Sequence, residues 1–280
     1  MQFFKPGLLA FTLSCTTFIM AQPITLSVKS GQKYKVENTT KMNTSAEAMG
    51  QTMETIMNSN NTTVYEIKNV SAAALELSAT ITTIVVNGST MGQEMSFDSE
   101  KKDNSGPMAD VLTPILNKSK SYTMDNKGTI VKQDETEEAE GQAAMMGISN
   151  VNYTNTDLFL PALVGKSLKP GDSFDDTGSL KKEKYSTRDS GTYKVTSIEN
   201  GIASIVYTGI QTIIAIGEQM GMEVTTNSNN IVKSEYQVDV NTGIVLSKAT
   251  VIESSVSVDI AGMTIPATGK TIVTVKVTAF

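Results

Sequence analysis

The chain has 280 residues, with 23 Lys and Arg against 29 Asp and Glu, a formal charge of −6, one Cys, 15 Met and neither His nor Trp. Without imidazole, and with its single thiol at Cys15, it lacks the side chains for a Ser-His-Asp triad, a thiol redox pair, a conventional zinc site or His- or Cys-ligated haem. The negative balance and the lack of a long basic run also exclude nucleic acid as an expected partner, because cationic contacts to phosphate dominate that binding.

Lys5, the apolar-rich run from Leu8 to Met20 and the small Ala21 before Gln22 read as a secretory signal peptide over residues 1–21. Its removal leaves 280 − 21 = 259 residues with a charge of 22 − 29 = −7 and no Cys. The expected location is periplasmic or extracellular. A lipid anchor on Cys15 is the alternative, but Thr12 stands where a lipobox carries a large aliphatic residue, which favours cleavage after Ala21. No later segment offers ~20 consecutive apolar residues, so no membrane-spanning helix is expected after cleavage. Stability then rests on the core alone, and a chain of this length buries roughly 70–75% of its unfolded surface.

Along the chain the dominant period is two. Tyr34-Lys35-Val36 alternates; Leu75, Leu77, Ala79 and Ile81 alternate with polar residues; Ile252 to Ile260 repeats the habit on even positions. At the C-terminus Val273, Val275 and Val277 face away from Thr274, Lys276 and Thr278, one apolar and one wet face, which disfavours an outer-membrane barrel and suits a sheet over a core. Asn87-Gly88 and Asn200-Gly201 are expected hairpin turns, and Asp125-Asn126-Lys127-Gly128 and Asp239-Val240-Asn241-Thr242-Gly243 slightly longer ones. Neither longer loop places Gly and Glu where a calcium loop needs them.

Helix signals are few. Pro107 followed by Met108, Val111, Leu112, Ile115 and Leu116 predicts one short amphipathic helix limited by Pro114, and Asp157 to Leu160 a brief turn before Pro161. The five carboxylates between Asp134 and Glu140 read as a solvated loop. Lys181-Lys182-Glu183-Lys184 reads as a charged sheet edge.

The chain also resembles itself. Val64-Tyr65-Glu66-Ile67 matches Thr192-Tyr193-Lys194-Val195 at a shift of 193 − 65 = 128, and Met91-Gly92-Gln93-Glu94-Met95 matches Met220-Gly221-Met222-Glu223-Val224 at 220 − 91 = 129. Tyr122-Thr123-Met124-Asp125 then matches Tyr236-Gln237-Val238-Asp239 at 236 − 122 = 114, which places an insertion around Pro107. The expected fold is mainly β: two similar antiparallel halves, 22–155 and 156–280, forming a sandwich or a curved half-barrel-like sheet with one or two short helices, in one cooperative unit. Gly31-Gln32-Lys33-Tyr34, Phe97-Asp98-Ser99, Gly128-Thr129-Ile130 and Leu160-Pro161 leading to Gly171-Asp172-Ser173-Phe174 together resemble a family of secreted β-rich Bacteroidota proteins, known only as a domain of unknown function. The resemblance implies an envelope or secreted setting and carries no catalytic residues.

Methionine is the compositional oddity. Met49, Met91, Met146, Met220, Met222 and Met263 sit beside glycines at expected turns, and flexible thioethers suit either gap-filling in a core or an adaptable rim for a lipid-like or peptide ligand, with Met91, Met95, Met220 and Met222 as the candidate ligand contacts. Thioether-held Cu(I) is the weakest reading without His or Cys beside it, and no metal or cofactor is expected. Asp172 with Asp175 or Asp176 could divide acid and base roles only within a cleft; Pro170-Gly171-Asp172-Ser173 reads more simply as a turn. The leading expectation is an exported non-enzymatic protein that binds an apolar ligand or an envelope protein. A structural or adhesive surface module is the alternative, and a carboxylate hydrolase the third.

Overall fold

The computed structural model describes residues 23–48, 50–101, 104–134, 156–219 and 222–280. Twelve antiparallel strands form one open sheet: β1 (Lys33–Ala48), β2 (Gln51–Val70), β3 (Ala74–Thr90), β4 (Gln93–Asp98), β5 (Ser119–Asp125), β6 (Ile130–Gln133), β7 (Ser173–Lys181), β8 (Tyr185–Glu199), β9 (Ile202–Gln219), β10 (Met222–Asp239), β11 (Val245–Ile260) and β12 (Met263–Ala279). Their order is β6-β5-β3-β2-β1-β12-β11-β10-β9-β8-β7, with β4 beside β3. The sandwich half of the expectation is therefore not what forms. β12 pairs β11 on one side and β1 on the other, from Tyr34↔Ala279 to Ala46↔Ala267, so strands that would edge two separate sheets are joined.

Alternation explains which face is covered. Along β12 every odd residue from Ile265 to Val277 is buried or half-buried, and every even one is exposed. In β3 the buried set changes parity, from Leu75, Leu77 and Ala79 to Ile84 and Val86, because the register slips between Thr62 and Thr63 and leaves Thr82 as an extra residue. Such bulges bend the strand that carries them, and a curved sheet fits both the bulges and the shading of the inner face.

The repeat is visible in the registers. Tyr65 and Ile67 pair Ala79 and Leu77, while Tyr193 and Val195 pair Tyr207 and Ile205. The bulged residues Lys68 and Thr196 differ by 196 − 68 = 128. Each half opens with the same turn: Lys29 N–H donates to Gln32 Oε1 and Gly31 N–H to the Ile67 carbonyl, as Lys169 N–H donates to Asp172 Oδ2 and Gly171 N–H to the Val195 carbonyl. Where β10 runs unbroken along β9, β4 and β5 share the length of β3. The interruption carries α1 (Pro107–Leu112), where the sequence shift falls by 129 − 114 = 15 residues.

Turn chemistry is mixed. Asn200-Gly201 is a hairpin turn with both φ positive, at 52° and 79°. Asn87-Gly88 lies inside β3 and is not a turn; the hairpin comes at Met91-Gly92, again with both φ positive. Gly88 answers a different need, since a Cβ there would collide with the Ile56 carbonyl of β2.

A one-layer sheet needs a cover, and two irregular segments supply it at one end. Residues 23–28 and 156–168 form a strap: Ile24 N–H donates to the Lys166 carbonyl at 3.0 Å, Gly165 N–H to the Ile24 carbonyl at 2.7 Å, and Val245 N–H to the Leu158 carbonyl at 2.9 Å. Val28, Leu158 and Phe159 pack on Tyr65, Ile67, Leu77 and Val277, and Ile24, Leu160, Leu163 and Leu168 on Val195, Ile205 and Val238. α1 covers a third cluster around Ile84, Val86 and Phe97. Replacing fully buried Leu163 by Ala is expected to destabilise the fold by about 2–5 kcal/mol in urea unfolding, whereas Ile214→Ala on the exposed outer face should shift it by less than about 0.5 kcal/mol.

Candidate functional site

Beside the strap, the turn ends of β2, β3, β5 and β6 leave a cavity of about 400 Å³. Its apolar wall comes from Ile24, Leu26 and Val28 of the strap, Val70 and Leu75 of the β2–β3 hairpin, and Val164. Asp125, Asn126 and Lys127 of the β5–β6 turn supply polar groups. That turn is self-braced: Asp125 Oδ1 accepts from the N–H groups of Lys127 and Thr129, both at 2.9 Å. The hollow is open to solvent on one side, and its apolar wall with a few polar groups is the combination that small-ligand sites use in more enclosed form.

A second feature is polar and lies on the inner face of the second half. Tyr193 and Tyr207 are direct cross-strand neighbours with ring centroids 4.6 Å apart, and Tyr236 lies 6.1 Å from Tyr193. Tyr207 lies over the paired glycines Gly191 and Gly209, and a Cβ on either would collide with its ring and hydroxyl. Beyond it runs a ladder across three strands: Gln211 Nε2 donates to Asp189 Oδ1 at 2.7 Å, Asn230 Nδ2 to Gln211 Oε1 at 3.1 Å, and Ser228 Oγ to Asn230 Oδ1 at 2.7 Å.

The electrostatics of this cluster favour neutral groups. Burial, helped by Asp189, Asp176 and Tyr236, pushes the Tyr207 phenol up to about 12; burial raises Tyr193 further. Asp189 is held above the usual carboxylate range, chiefly by burial and then by the charge of Asp176, against the lowering effect of the Gln211 hydrogen bond. A phenol is activated as a nucleophile or base by the opposite shift, so burial works against that role for Tyr193 and Tyr207. Nearby, Lys248 Nζ donates to Asp157 Oδ1 at 2.8 Å. Burial alone would lower the Lys248 pKa, but the Asp157 carboxylate and Tyr236 outweigh it and the ammonium is held above its ordinary value.

The methionines named from sequence lie elsewhere. Met91 is 64% exposed at the β3–β4 turn, and Met222 is 40% exposed at the start of β10, five strands away across the sheet. Met95 is half-buried and packs in the cluster beneath α1, on one cross-strand row with Met42, Met57 and Gly88. Met220, Cys15, residues 1–21 expected as a signal peptide, and the acidic run beyond Asp134 lie outside the described residues. The tip carrying Met91 is at the opposite end of β3 from the cavity, roughly 50 Å along a strand rising 3.3 Å per residue. Asp175 and Asp176 alternate between the outer and inner faces of β7; Asp175 accepts from the Thr192 hydroxyl and Asp172 braces its turn. Among the described residues no three His, Cys, Asp or Glu side chains are grouped to hold a metal, and no helix is long and apolar enough to cross a membrane.

Residues 72–147, which include all of β3–β6, match a family of unknown function, DUF6263. No curated protein matches the chain. Among solved structures, the chain is similar to an outer membrane channel of Pseudomonas putida F1 (8% identity, 90% of this chain and 97% of that one, TM-score 0.24). It is also similar to Pseudomonas aeruginosa OccK7 (4%, 89% and 100%, 0.26) and to Salmonella typhi OmpF in complex with daunomycin (6%, 87% and 98%, 0.29). Likeness at these scores carries no argument about function.

Two outcomes are expected at the buried polar groups. Because folding raises the Asp189 pKa, the linked stability is fully present below the unfolded carboxyl pKa and is lost as pH rises through the folded one. Asp189→Asn, which keeps the acceptor for Gln211, should therefore raise the melting temperature at pH 7 and leave it unchanged near pH 3. Asp157→Asn strands the Lys248 charge and should cost about 3–5 kcal/mol in chemical denaturation at neutral pH.

Proposed function

We propose that this chain is an exported, non-enzymatic binding protein of the cell envelope that takes an apolar or lipid-like ligand in the strap cavity. The carrying observation is the cavity itself: about 400 Å³, walled by Ile24, Leu26, Val28, Val70, Leu75 and Val164, with Asn126 and Lys127 at its polar side. An acyl or isoprenoid tail in those walls leaves a polar or anionic head near the Lys127 ammonium. Each methylene buried there contributes about 0.8 kcal/mol, enough for useful affinity from a short tail. Export is supported by the signal-peptide reading of residues 1–21, and the envelope setting by the resemblance to secreted Bacteroidota proteins. The two halves serve this role as one unit, because the strap that walls the cavity packs on both.

Mass spectrometry of organic extracts from protein purified from its native host is expected to find a co-purifying lipid. Val164→Trp, which fills the cavity from its wall, should lower binding of a fluorescent fatty acid at least tenfold while leaving the melting temperature within a few degrees. An empty extract together with probe binding indifferent to the tryptophan would refute the reading.

A further inference from the structure

We propose that the free edge of β7 is a self-association site, at which a second copy of this chain pairs antiparallel about a two-fold axis through Thr177. Among the described residues β7 ends the sheet, with β8 on its only paired side. The Asp172 carbonyl accepts from Val195 N–H at 2.9 Å, and Lys182 N–H donates to the Tyr185 carbonyl at 2.7 Å. Even-numbered residues therefore turn their backbone groups toward β8, and strand alternation points those of Ser173, Asp175, Thr177, Ser179 and Lys181 out of the sheet.

Charge and side-chain pattern select the occupant. One end of the edge carries Asp172, Asp175 and Asp176, and the other Lys181, Lys182 and Lys184 around Glu183, so the second end keeps a positive balance. A parallel copy would set like charges side by side; an antiparallel copy sets the acidic end against the basic one. Only registers that match odd residues to odd residues let the outward backbone groups bond one another. Centred on Thr177, the register places Phe174 opposite Leu180 on the inner face, Asp176 opposite Gly178, and Lys181 diagonal to Asp175 on the outer face, within reach of a lysine. Moving two residues one way sets Asp176 against its own copy, and two residues the other way sets Phe174 against Lys182. The opposite edge of the sheet, β6, spans only Ile130–Gln133 and offers too short a template for the nine residues of β7. The lysines that discourage indiscriminate edge pairing thus favour this one partner.

Sedimentation equilibrium of the purified protein is expected to show a monomer–dimer equilibrium. Thr177→Pro removes an outward N–H and leaves the β7–β8 ladder whole; it should weaken the dimer at least tenfold with an unchanged circular dichroism spectrum. In a Cys15→Ser background, Thr177→Cys should oxidise to a covalent dimer, since hydrogen-bonded antiparallel partners lie about 5.5 Å apart, within disulfide range. Asp175→Cys, four residues out of register with its own copy, should not. A strictly monomeric protein, open-ended growth beyond the dimer, or a dimer that persists in Thr177→Pro and does not cross-link through Thr177→Cys overturns the proposal.

Discussion

Covering one face of a single sheet is the constraint on which the rest of this structure depends. A strand that alternates apolar and polar residues stabilises nothing until its apolar side leaves water, and among the described residues no second sheet takes that role. The cover is irregular backbone, residues 23–28 and 156–168, whose polar groups find partners in each other and in neighbouring carbonyls. That bonding lets Leu158, Phe159, Leu160 and Leu163 enter the core with little unpaired backbone. The cover is also finite. Where it stops against the turns of β2–β3 and β5–β6, an apolar wall remains without filling, and the cavity is the result.

Much of the fold is legible in local chemistry. Period two marks the strands, Val273, Val275 and Val277 point inward as their spacing implies, and Pro107 opens the one α-helix among the described residues. What fails is information held between distant residues. Asn87-Gly88 has better turn chemistry than Met91-Gly92, yet the length of β2 alongside keeps β3 extended to Thr90, and the turn is displaced. The parity change in β3 depends on Thr82 bulging against Thr62 and Thr63, which no single strand reveals. The join between β1 and β12 has no local signature at all.

The candidate site was partly within reach. Ile24-Thr25-Leu26-Ser27-Val28 alternates, as the residues around Leu75 do, and Asp125-Asn126-Lys127-Gly128 has turn chemistry, so part of the wall has a sign in the sequence. The methionines drew attention by composition. At a hairpin tip such as Met91 the side chain has solvent around it, whereas Met57 and Met95 fill space beneath α1. The tyrosine cluster was visible only as the repeated Tyr65 and Tyr193. Its chemistry comes from Gly191 and Gly209, which make room for Tyr207, and from Asp189 on the neighbouring strand. The ladder of Asp189, Gln211, Asn230 and Ser228 links side chains across β8, β9 and β10 on the same face.

The central seam joins the first strand to the last, with Tyr34 beside Ala279. A polypeptide that emerges from its amino end therefore presents β1 with one flank open until nearly every other residue has appeared. Contacts so distant in sequence form slowly, and the seam between β1 and β12 stays unmade until β12 has left the ribosome. The keystone of the sheet is thus synthesised after the strands it locks.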